Sequence, residues 1–137
     1  MGSTAPYPTD GIVTKACPYS VPDAVSRLTE LLERRGLTLF SVIDHSGEAH
    51  KVGLQMPDTK LVVFGSPAAG TPVMLAAPLA ALDLPLKLLI WADSEGAVSV
   101  SYTSPTYLAS RHHLTDALRS RLEPIDAISD AVVAAEP

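Results

Sequence analysis

The sequence is poor in charge, in aromatic rings and in cysteine. Asp, Glu, Lys and Arg make up 18% of its 137 residues, and Phe, Trp and Tyr only 5%. Acids outnumber Lys and Arg by 15 to 10, a formal net charge of −5 with His neutral. The clustered positive charge that grips a phosphate backbone is missing, so nucleic acid is not an expected partner. Cys17 is the single cysteine, which rules out an internal disulfide and leaves nothing that demands an oxidising compartment. Long apolar runs are absent too. The oiliest stretch, residues 73–91, is interrupted by Pro78, Asp83, Pro85 and Lys87, whereas a membrane span wants about 20 mostly apolar residues. The opening MGSTAPYPTD has neither the basic start nor the apolar run of a secretory signal. The expectation is a cytoplasmic protein that does not enter the membrane.

What is present is apolar side chain. Hydrophobic residues account for 47% of the chain, and the mean hydropathy is +0.22. This length suits one domain with its own core, expected over residues 11–137 behind a loose arm at residues 1–10. The apolar excess exceeds what so small a domain needs inside, and predicts a two-fold homodimer.

Periodicity supplies the elements. Residues 11–17 (GIVTKAC) read as a strand ended by Pro18. Ser20 then caps a helix with Asp23 three residues on; Val21, Ala24, Val25, Leu28, Leu31 and Leu32 form its apolar stripe, and Gly36 stops it. Residues 37–44 and 60–64 read as strands, with a short helical turn at 45–51 between them. A glycine-rich loop at 65–70 leads to a helix expected to start on Thr71 and Pro72. Residues 86–92 form a nearly continuous apolar strand, as in a sheet centre. A hairpin at 93–96 leads to an alternating strand from Val98 to Thr103. Ser104 and Pro105 open the closing helices, which Pro124 interrupts. The order β-α-β-β-α-β-β-α-α predicts an α+β fold with about five mixed or antiparallel strands and helices mainly on one face.

Four constellations could carry chemistry. Residues 65–71 space like a phosphate-binding loop but lack its lysine, since Gly70 precedes Thr71. A weaker anion contact at Thr71 remains, against the plainer reading of a tight connection. Asp44 and His45 end a strand, where pockets form, and a carboxylate beside an imidazole suits a general base or a metal ligand. Neighbours on a strand point apart, so the pair reads equally as a surface turn. Arg111, His112 and His113 lie on one helix, where His113 is a metal candidate only if ligands arrive from elsewhere. Cys17 before Pro18 could meet haem or a metal, against the usual reading of a buried apolar thiol. Lys87, amid Leu86, Leu88, Leu89 and Ile90, must snorkel, act with a depressed pKa, or pair with a carboxylate such as Asp83 or Asp44.

Several segments taken in order resemble the bacterial domain-of-unknown-function family 302. They are Ile43-Asp44-His45, Phe64-Gly65-Ser66-Pro67, Gly70-Thr71-Pro72, Leu82-Asp83-Leu84-Pro85-Leu86-Lys87, Trp91, and Tyr102 ahead of Tyr107-Leu108. Where many members have Asn before the proline of the first glycine segment, this chain has Ser66. The resemblance implies a small α+β fold of the TATA-binding-protein-like class, often dimeric, and transfers no catalytic residue. Among its motif positions are Asp44, His45, Lys87, Tyr102 and Arg111, which predicts that some of them share one polar pocket. The leading expectation is a homodimer that binds a small polar or anionic ligand, with Thr71, Tyr102 and Arg111 as contacts, and no cofactor. One alternative is a cofactor-free enzyme using His45 with Asp44 or Lys87. Another is a haem or metal binder using His45, His113 or Cys17.

Overall fold

The computed structural model describes residues 10–136, so the expected arm lies almost wholly outside the described residues. Five strands, β1 (Ile12–Cys17), β2 (Thr38–Asp44), β3 (Thr59–Gly65), β4 (Leu86–Ala92) and β5 (Val98–Thr103), form one sheet in the order β1-β5-β4-β3-β2. Every neighbouring pair is antiparallel. β4 lies at the centre, where its nearly continuous apolar run predicted it. The chain crosses from one edge of the sheet to the other between β1 and β2, through α1 (Val21–Arg34).

Helix α1 forms where its sequence signals meet. The Ser20 side chain accepts from the Asp23 amide, Pro22 occupies the first turn, and Gly36 follows at φ 68. Its buried stripe, Val21, Ala24, Leu28 and Leu32, packs on Val62, Phe64, Leu88, Ile90, Val100 and Tyr102 of the sheet. Ile125, Ile128 and Val132 of α6 (Pro124–Val133) complete this core. A second, smaller core joins Val73, Ala80, Leu108 and Leu122. It ties α3 (Pro67–Ala76), a 3-10 turn (Pro78–Leu82), α4 (Pro105–His112) and the segment after α5 (Asp116–Arg119).

One boundary differs from the sequence reading. Helix α3 starts at Pro67 with Ser66 as its N-cap, and Pro72 lies inside it. The Ser66–Pro67 pair offers the same cap-and-proline chemistry as Thr71–Pro72, and Ala68 and Ala69 extend helix between them. Most of the expected glycine-rich loop is therefore helical, and Thr71 is not at a helix N-terminus. The segment after β2 is a true helix, α2 (His45–Lys51), capped by Asp44.

Candidate functional site

The polar candidates sort into three clusters. In the first, Asp44 Oδ1 accepts the Gly47 amide at 2.9 Å and lies 2.8 Å from Ser46 Oγ. Lys60 Nζ lies 3.4 Å from Asp44 and 2.7 Å from Asp58. The Gly47 amide first, then the Ser46 hydroxyl, with help from Lys60, hold the Asp44 carboxyl below its usual range. His45, exposed at the start of α2, makes no hydrogen bond within this cluster among the described residues. Asp44 is thus engaged in capping and with Lys60, and does not orient His45.

The second cluster fastens α6 to the sheet. Tyr102 donates from its hydroxyl to Asp126 Oδ1 at 2.6 Å, and Lys15 Nζ sits 5.3 Å from the Tyr102 ring centre. Lys15 also donates to Ser129 Oγ at 2.6 Å and Asp130 Oδ1 at 2.8 Å. Ser129 is wholly buried. Burial pulls the Lys15 pKa down, but the bonds and charge of Asp130 and Tyr102 outweigh it and raise the value overall. The ammonium stays charged, so this Lys–Ser contact is a clamp and not a base beside a nucleophile.

The third cluster centres on Asp83. Its Oδ2 lies 2.5 Å from His112 Nε2 and 3.6 Å from Arg111 Nη1. Lys87 Nζ donates to the Asp83 carbonyl at 3.2 Å and the Pro85 carbonyl at 3.3 Å. Lys87 therefore pairs with backbone oxygens and not with a carboxylate, because it is the second residue of β4, close after the turn at Asp83. Of the two adjacent histidines, His112 turns inward, while His113 closes α4 at φ 54 and is exposed.

The five motif positions do not share a cleft. Lys87 and Arg111 meet at Asp83, whereas Asp44 stands in register with Lys60 at one edge of the sheet. Tyr102 is on β5, three strands from β2, about 14 Å at about 4.8 Å per strand. The haem and metal candidates are also scattered. Cys17 is buried in the α1 core on edge strand β1, and His45 follows β2 at the opposite edge. Among the described residues no three His, Cys, Asp or Glu side chains cluster as a metal set would.

A further opening lies elsewhere, and it is mostly hydrocarbon. A cavity of about 210 Å³ lies between the β3–α3 junction, the start of β4 and the segment joining α5 to α6. Gly65, Ser66, Gly70, Thr71 and Met74 line one side, and Leu84, Pro85 and Leu86 a second. Leu122, Pro124 and Ile128 form the third, and Phe40 borders it from β2. The Leu84–Pro85 peptide bond in this wall is cis. Arg121 is the one charged side chain on the lining, and no carboxylate pairs with it among the described residues. Of the sequence candidates, Thr71 alone lines this space. The signal for it was present, since both the Phe64–Pro72 and the Leu82–Lys87 segments that carried the resemblance border the cavity. Nothing in the sequence pointed to Arg121.

Over 104 residues the chain is 36% identical to a protein named fluoride-specific ion channel FluC 1 of Brucella suis biovar 1, covering 76% of this chain and 41% of that one. A protein named fluoride-specific ion channel FluC 2 of Brucella melitensis biotype 1 matches at 36% over 104 residues, 76% of this chain and 38% of that one. The chain thus spans about two-fifths of the length of these relatives. The crystal structure of an uncharacterized conserved protein DUF302 from Bacillus stearothermophilus shares the fold. It matches with a TM-score of 0.74 at 18% identity, over 90% of this chain and 95% of that one. No helix of the described residues is long and apolar enough to cross a membrane. The model of the family described as domain of unknown function DUF302 matches residues 13–132, from β1 to the last turn of α6, and the chain belongs to that family.

Proposed function

We propose that this domain is a small-molecule-binding module whose ligand has an apolar body and one anionic group. The observation that carries the reading is the cavity itself, bordered by residues 64–71 and 84–86 and facing a single unpaired cation, Arg121. An apolar cavity of about 150 Å³ is enough for benzene, so this one suits a substituted ring or a chain of comparable size. Displacing poorly held water from such walls drives binding, and one well-placed charge sets orientation. The polar pocket expected near Asp44 and His45 is replaced by this site, because Asp44 is committed to Gly47, Ser46 and Lys60.

The module acts as a homodimer in the cytoplasm, as an accessory to other proteins. The accessory role is supported by the relatives named as fluoride-specific ion channels, in which the matching stretch is part of a longer chain.

The test is titration calorimetry with benzoate and with benzyl alcohol as probes. The expected result is saturable binding of benzoate, weaker binding of the alcohol, and loss of that preference in Arg121→Gln. Ala69→Phe, which fills the cavity from α3, abolishes binding while keeping the wild-type circular dichroism. Binding unchanged in Ala69→Phe would show that the cavity is not the site.

A further inference from the structure

We propose that β2 pairs with β2 of a second copy, antiparallel about a two-fold axis, so that two five-stranded sheets become one continuous sheet. This rests on the homodimer reading above and gives it a surface. The starting observation is a mismatch between residue pattern and position. β2 lies at the edge of the sheet, yet Leu39, Phe40, Val42 and Ile43 are 38–49% exposed. In register with β3, Leu39 and Val42 stand beside Phe64 and Val62 on the helix-covered face, and Ile43 stands beside Leu61 on the other. A strand apolar on both faces is built for the interior of a sheet.

The other edge shows what a defended strand looks like. β1 exposes one large apolar side chain, Ile12 at its start, but it carries Lys15 and presents Thr14 and Ala16, the charge and small residues that keep edges from pairing. Between Thr38 and Ile43 there is no charge at all. The apolar exposure also continues past β2, with Val52, Leu54 and Met56 between 42% and 72% exposed.

Charge selects a second copy and fixes the direction. The end of β2 that follows α1 carries exposed Arg34 and Arg35 against Glu33, a surplus of positive charge. The opposite end carries Asp44, Glu48 and Asp58 against Lys51 and Lys60, a surplus of negative charge. Neither Arg34 nor Arg35 is in an ion pair among the described residues. Antiparallel self-pairing places the positive end of each strand beside the negative end of the other, and parallel pairing would set like against like. The bulge between Leu39 and Ser41 turns Phe40 toward the cavity and leaves the regular stretch after it free to pair. The same geometry sets the partner's strand beside the cavity mouth.

Sedimentation equilibrium of the full chain tests this. Wild type is expected to be dimeric, and Val42→Lys to raise the dimer dissociation constant at least about 100-fold while keeping wild-type circular dichroism. Leu79→Lys, in the separate exposed patch on the 3-10 turn, leaves it unchanged. Should Val42→Lys fail to fold, the charge swap decides: Arg35→Glu weakens the dimer and adding Glu48→Arg restores it. A monomeric wild type at about 100 µM overturns the dimer reading and this surface together. A dimer that survives Val42→Lys but separates in Leu79→Lys, or a charge swap that restores nothing, overturns the β2 surface and leaves the dimer standing. Ligand binding by a monomeric wild type would show that the cavity reading is independent of both.

Discussion

Asp83 and His112 are 29 positions apart and meet at 2.5 Å, the imidazole only 8% exposed. The contact binds α4 to the turn that leads into Leu84 and Pro85, which form a wall of the cavity. His112 also borders Val73, Ala80 and Leu108 of the smaller core.

Replacing His112 with Ala leaves the Asp83 carboxylate without its closest partner. The expected cost is about 1–3 kcal/mol, read as a lower urea midpoint at an unchanged slope. Asp83→Ala costs a similar amount, and the double variant costs less than the sum of the two. Strict additivity would mean that the contact does not couple them.

Stability is expected to fall above about pH 10, and the second cluster is the reason. Burial raises the Tyr102 pKa above its ordinary 10.0, as does its bond to Asp126, against the opposing pull of Ser129 and Lys15. Lys15 is raised above 10.5 by Asp130 and Tyr102, which outweigh its desolvation. In both cases the unfolded chain loses its proton first. The stabilisation is complete below the unfolded value and disappears as pH rises through the folded one. Asp44, held low, works in the other direction: its contribution is present above 3.8 and is lost as pH falls below that value. Urea midpoints at pH 7 and pH 10.5 should converge in Tyr102→Phe relative to wild type; an equal alkaline drop in both proteins would remove Tyr102 from the account.

Gly11 is required twice. Its φ of 71 is in the left-handed region, and a Cβ there would run into the Tyr107 ring. Gly11→Ala is expected to cost about 1–3 kcal/mol, the left-handed penalty plus the clash. Removing the ring in Gly11→Ala/Tyr107→Ala should relieve part of the loss relative to the two single variants. Thermal unfolding of all three proteins measures this.

The start of α3 can be checked by side-chain deletion. Ser66→Ala removes the cap on the Ala69 amide and should cost about 1 kcal/mol. Thr71→Ala sits within the helix and should change stability by less than about 0.5 kcal/mol. The reverse ranking would put the helix start back at Thr71.

These contrasts show which information is local. Helix α1 was legible from end to end because its cap, stripe and stop occupy consecutive turns of one segment. α3 was displaced because two cap-and-proline pairs, Ser66–Pro67 and Thr71–Pro72, stand five residues apart and each satisfies the local rules. The polar partners were not legible, because Lys15 finds Ser129 and Asp130, and Asp83 finds His112, only once the sheet has formed. Lys87 shows the same limit. Its strand and its need for a partner could be read, but the carbonyls that receive it depend on the path of the turn at Asp83. The cavity was half legible: its glycine and proline walls stood out as segments, while their convergence on Arg121 is tertiary.

Strand β1 has a single neighbour in the sheet, β5, and residues 12–17 pair with residues 98–103. A ribosome makes the first of these strands well before the second, so β1 stays without its partner while the residues between them are made. Until residue 103 emerges, the other four strands lack the one that joins β1 to β4. Closure of this sheet therefore waits for β5, and a chain cut short before it leaves β1 with no strand to pair with.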